Sequence, residues 1–210
     1  MTYLIATIII SLLGVITFLP ALRPWANRNE LGVNFITTML ATLVGVLLAI
    51  AITNFEEDNK ERRDVMKLIG AATTSISETR EYGEKLIDFA NNLKQEAQSE
   101  QQAEQEVKEF YDKNPLPYPH YIERFVTQTL VSKMLSQPTL EMLNGQIINL
   151  KRSASTKPEM AVFIQKQMLE TLALELRWLK GELTETDLEL EHDKLQHAFT
   201  AAIRENGLAQ

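Results

Sequence analysis

Residues 31–67 read LGVNFITTMLATLVGVLLAIAITNFEEDNKERRDVMK, and the change of character inside this stretch decides the fold. From Leu31 to Phe55 there is no charged side chain, and at about 1.5 Å per residue a helix of that length exceeds a hydrocarbon core of roughly 30 Å. From Glu56 onward charges crowd in, yet neither proline nor glycine interrupts the junction. One helix is therefore expected to leave a membrane and continue into water.

The same division runs through the whole chain of 210 residues. Before Glu56 the only charged side chains are Arg23, Arg28 and Glu30, whereas the residues from Glu56 onward carry 19 basic and 27 acidic groups. A net charge of -7, concentrated in the polar part, argues against broad binding to DNA or long RNA, because phosphate contacts need a continuous basic field. The chain has no cysteine, which removes disulfides and thiolate metal sites and leaves the compartment open.

A second uncharged run, Thr2 to Leu22, precedes the first. Residues 1–3 hold no Lys or Arg and Pro20 interrupts the region where a cleavage site would fall, so the run reads as a span and not a signal peptide. The expectation is a two-helix transmembrane hairpin over 1–55, with spans at about 2–22 and 31–55. Lys60, Arg62, Arg63 and Lys67 outnumber Arg23 and Arg28 of the connection, which favours both termini in the cytoplasm. Within the second span the small residues Ala41, Gly45 and Ala49 recur every four positions. Such a stripe lets another helix approach closely, either inside the hairpin or between protomers.

Beyond the membrane the periodicity is helical throughout. Val65, Ile69, Ala72, Ile76, Thr79, Gly83, Leu86, Ala90, Leu93 and Ala97 follow steps of four and three, one seam along a linking helix over 56–106. The seam faces either the later helices or another subunit. QEAQSEQQAEQE, residues 95–106, reads as a solvated helix end or link, and Pro115, Pro117 and Pro119 require an extended segment. A cytosolic domain over 107–210 follows. Its helices are expected from Ile122 to Leu135, from Pro138 to Leu150, from Thr156 to Gly181, and from a capping box at Thr186–Glu189 to Asn206, which with the linking helix makes five. The fold class is all-α.

Catalytic signatures are missing: there is no phosphate-binding glycine loop, no dinucleotide turn, no nucleophile elbow and no zinc-protease motif. Glu189 and His192 form a single Glu-x-x-His pair with His197 nearby, where a di-iron bundle needs two pairs, so these are read as polar-face residues and no metal or cofactor is assigned. Two places can hold a ligand. In KRSASTK, the basic Lys151, Arg152 and Lys157 surround Ser153, Ser155 and Thr156 just before a helix, a pattern that suits a phosphate as well as ordinary caps between two helices. At Tyr118, His120, Tyr121 and Arg124, rings and a guanidinium can stack on a base or pack the proline segment onto the bundle.

A membrane hairpin followed by a helical cytosolic domain without catalytic residues resembles bacterial antiviral membrane effectors. In particular it is similar to the small two-helix effectors associated with type III CRISPR systems. The resemblance is architectural and covers the whole chain. It implies a non-enzymatic protein of the bacterial inner membrane that assembles as a homo-oligomer, a tetramer in that family. It also implies that a cyclic oligoadenylate, cyclic tetra-adenylate, is the anion for KRSASTK, and that its binding depolarises or permeabilises the bilayer. The alternative is a structural or regulatory anchor whose helical domain binds a protein partner.

Overall fold

Glu30 opens a helix that does not stop until Glu96 (α1, Glu30–Glu96), in a computed structural model that describes Ile8 and residues 30–153 and 158–205. The first expected span, 2–22, lies outside the described residues apart from Ile8, and so does its connection to α1. Six further helices follow: α2 (Glu100–Lys113), α3 (Tyr121–Val126), α4 (Thr129–Met134), α5 (Gln137–Ser153), α6 (Pro158–Leu179) and α7 (Glu185–Glu205). Among the described residues there is no strand. The chain divides into two compact units, Met1–Glu61 and Arg62–Gln210.

In the first unit α1 is apolar and most of its surface is exposed, with Val33, Thr37, Leu40, Val44, Leu47 and Ala51 half-buried along one face. Its side chains Phe35, Ile36, Met39, Val46, Ile52 and Phe55 are exposed, as a helix that is solvated by lipid requires. By length and composition α1 can cross a membrane. The hydroxyls of Thr38, Thr42 and Thr53 donate to the carbonyls of Asn34, Thr38 and Ala49, one turn back, so they bring no unpaired polar group into an apolar surrounding. Ala41, Gly45 and Ala49 are exposed on this helix, and a Cβ added at Gly45 would meet nothing within 4 Å.

In the second unit the rest of α1 supplies one wall of the core. Val65, Ile69, Ala72, Ile76, Gly83, Leu86 and Ala90 are buried, every one of them on the expected seam, and the first four join the cluster formed by Ile122, Phe125, Leu143, Leu150, Ile164 and Leu172. The seam thus packs within the chain. Gly83 marks its tightest point, since a Cβ there would lie 2.8 Å from Val162 Cγ2 and 2.9 Å from Leu116 Cδ2.

The helix boundaries correct the sequence reading in three places. The polar stretch 95–106 holds a true break: α1 ends at Glu96, and Ser99 caps α2 by accepting from the Gln102 amide at 3.3 Å. The phenyl rings of Phe89 and Phe110 then stack at 4.8 Å, bringing α2 back along α1. The single helix expected over 122–135 is two: α3 ends at Val126, and Gln128, with φ -70 and ψ 134, is extended before α4 begins at Thr129. The last helix is capped two residues early, by Thr184 and Asp187 in place of Thr186 and Glu189. Thr184 Oγ1 accepts from the Asp187 amide at 3.2 Å, and Asp187 Oδ2 accepts from the Thr184 amide at 3.1 Å.

Other stops fall as the residues dictate. The proline segment 115–119 is non-helical. After α6, Gly181 takes φ +78, with the Glu182 amide donating to Arg177 O and the Gly181 amide to Trp178 O, the paired bonds of a glycine-terminated helix.

Candidate functional site

A buried carboxylate organises the bundle. Glu175 of α6 is 0% exposed, yet it faces three donors at the start of α5. Its Oε1 accepts from the Ser136 amide at 2.8 Å, and its Oε2 accepts from the hydroxyls of Ser136 and Thr139, each at 2.6 Å. Ser136 is also the cap of α5, its hydroxyl lying 3.4 Å from the Thr139 amide, so the carboxylate sits at the positive end of that helix. A buried charge without such partners would cost several kcal/mol. Here the backbone, two hydroxyls and the helix dipole share it.

The network continues to α7. Thr139 Oγ1 is 2.9 Å from His192 Nε2, and because its only proton goes to Glu175, it accepts from the ring. His192 therefore carries its proton on Nε2 and presents Nδ1 as an acceptor. That Nδ1 is buried and has no partner in the structure. His192 is only 3% exposed, which corrects its reading as a polar-face residue. Burial holds its pKa below the ordinary 6.5, against a smaller opposing effect of the Asp193 charge. In a hydrolytic triad the imidazole takes the hydroxyl proton; here the imidazole donates, so Thr139 is not activated as a nucleophile.

Beside this network lies a cleft of about 500 Å³ between α5 and α7. Met142, Leu195 and Phe199 give it an apolar side, and Phe199 is held in place by stacking on Phe163 of α6 at 5.5 Å. Gln146, Gln167 and His192 give it a polar side, while Glu141, Glu189 and Asp193 bring carboxylates to its lining. Gln146 Nε2 is spent on Thr171 Oγ1 at 3.0 Å, whereas Gln167 Oε1 is buried and unpartnered. Among the described residues that line it there is no Lys or Arg.

The two places expected from the sequence meet on another side of the bundle. Lys151, Arg152 and Ser153 form the last turn of α5, and Ser155, Thr156 and Lys157 lie outside the described residues. Ser153 is buried, and its hydroxyl bonds back to Asn149 O at 2.9 Å. Lys151 Nζ is 3.0 Å from Glu123 Oε1 of α3, the turn that also carries Tyr121 and Arg124. Tyr118 adjoins the same carboxylate: burial first, then the neighbouring Glu123, raises its phenol above the ordinary value. In return the Tyr118 hydroxyl and Lys151 hold Glu123 below the usual carboxylate range. Tyr118 and Tyr121 pack against the core, the Tyr118 ring meets the edge of His120 at 5.0 Å, and His120 and Arg124 are exposed.

The Glu175 network escaped the sequence reading because Ser136, Thr139, Glu175 and His192 are scattered over three helices and form no local motif. A faint signal was present. A glutamate on the apolar face of α6, beside Leu172 and Leu179, needs partners from elsewhere. Compared with known protein families, with characterised proteins and with solved structures, the chain matches none.

Proposed function

We propose that this protein is a non-enzymatic, multi-pass effector of the bacterial inner membrane, acting in antiviral defence as a homo-oligomer. In this reading a cyclic oligoadenylate, cyclic tetra-adenylate, binds the cytosolic bundle, and both termini face the cytoplasm. One observation carries the reading: α1 is a single helix whose apolar, largely exposed part and whose core-forming seam follow one another without a break. A change in the packing of Val65, Ile69 and Ile76 would be felt along the same helix at Ala41, Gly45 and Ala49, where a second helix can approach. The ligand must favour the active arrangement over the resting one for this to work.

The phosphates are assigned to the 151–157 loop and the bases to Tyr118, His120, Tyr121 and Arg124. Lys151 would first have to release Glu123. An exposed ion pair is worth no more than about 1 kcal/mol, so a multiply charged ligand can displace it.

The test uses the full chain reconstituted in lipid vesicles that hold a potassium gradient, with a potential-sensitive dye. Addition of cyclic tetra-adenylate is expected to collapse the potential, and Lys151→Ala combined with Arg152→Ala to abolish the response. A potential that survives saturating nucleotide would sink the effector reading. If a co-purifying protein were found as well, the chain would be an anchor for that partner. Undiminished nucleotide affinity in the double variant would remove the loop from the site.

A further inference from the structure

The cleft between α5 and α7 has no part in the function proposed above, and its chemistry differs from that of a phosphate seat. Glu141, Glu189 and Asp193 line it without a basic counterpart, so an anionic ligand would meet only like charge. Two of its lining residues, His192 and Gln167, each carry a buried acceptor without a donor, Nδ1 and Oε1, in side chains of residues that are 3% and 6% exposed. Buried polar atoms in folded proteins nearly always find a partner. A molecule with N–H groups supplies what both lack. Met142, Leu195 and Phe199, on the apolar side, offer contact to a flat hydrocarbon body, and about 500 Å³ is within the range of small-molecule sites.

The geometry points to this cleft as a binding site for a small organic cation that joins an amine or amidine head to a flat apolar body. The head places N–H groups on His192 and Gln167 and its charge among Glu141, Glu189 and Asp193. The tautomer that Thr139 imposes is what makes the site: with its proton fixed on Nε2, the ring can only accept at Nδ1. Uptake of a second proton by His192 would turn that acceptor into a donor and repel the cation. Glu175, Glu189, Asp193 and Glu141 are the charged groups that face the ring or share its cleft, and all of them favour a cation there.

Benzamidine is the probe, with benzoate as the anion and benzyl alcohol as the neutral compound of similar body, measured by calorimetry on the full chain in detergent micelles. Benzamidine is expected to bind at one site per chain, about tenfold or more tighter than either control. Gly145→Phe is expected to weaken it about tenfold. Gly145 lines the cleft and a Cβ there meets nothing within 4 Å, so the ring occupies the ligand space at little cost to the bundle. Asp193→Asn, an exposed change, is expected to lower affinity about threefold, and acidification from neutral to about pH 5.5 to lower it further. Binding of benzamidine no tighter than benzoate would overturn the assignment, as would benzamidine affinity unchanged in both variants. The outcome is independent of the nucleotide response, because it would stand if cyclic tetra-adenylate had no effect on the membrane.

Discussion

Gln165 is 0% exposed and neither end of its amide has a partner, a rare condition in the middle of a core. Each unpaired polar atom costs about 1–3 kcal/mol, so Gln165→Met, close in volume and free of that penalty, is expected to stabilise the bundle by about 1–2 kcal/mol. The check is the melting temperature of the full chain, which should rise by several degrees. His192 presents the opposite case, a polar group that the fold uses. Its pKa is lowered in the folded protein, so between that value and the unfolded 6.5 the unfolded chain holds the extra proton. Stability therefore rises with pH across this window and is lost as pH falls below about 6.5, before the carboxylates titrate. Melting followed by circular dichroism should show this decline, and His192→Gln, which can still donate to Thr139, should flatten it.

Among the elements, α1 was the most legible in the sequence and the cleft the least. Every buried position of α1 in the bundle falls on the four-and-three pattern, because a helix repeats its core face at that period whatever packs against it. Gly83 belongs to this face, and its reason emerges only from the partners, Leu116 and Val162. Gly83→Val is expected to cost about 1–3 kcal/mol through overpacking, read as a lower denaturant midpoint with an unchanged slope. The caps of α2 and α7 were harder to place. Several Ser, Thr, Asp and Glu residues lie within a few positions of each start, and only geometry chooses Ser99 and Thr184 among them. The cleft and the Glu175 network require three helices to be assembled before their groups meet, and no periodicity records that.

For the whole molecule, the decisive property is that the largely exposed apolar segment and the bundle wall belong to one unbroken helix. Glu57 lies on that helix near the junction and is exposed, so Glu57→Pro breaks the helix there while leaving the buried seam untouched. The variant is expected to insert into membranes and keep the melting temperature of the bundle, but to lose the nucleotide-driven collapse of the vesicle potential. If that collapse were retained at full size, α1 would not be the conduit. A loss of about 3 kcal/mol local to α1 is the scale of the perturbation.

The order of synthesis gives the α1 seam a second significance. Val65 to Ile76 leave the ribosome long before α5 and α6, the helices that complete their core, and at roughly 5–20 residues per second the wait is on the order of ten seconds. A half-made core strip of large aliphatic residues would invite misassociation with neighbouring nascent chains. Ala72 and Gly83 keep this strip lean until α6, which shares a core cluster with Ala72 and brings Val162 against Gly83, arrives to cover it.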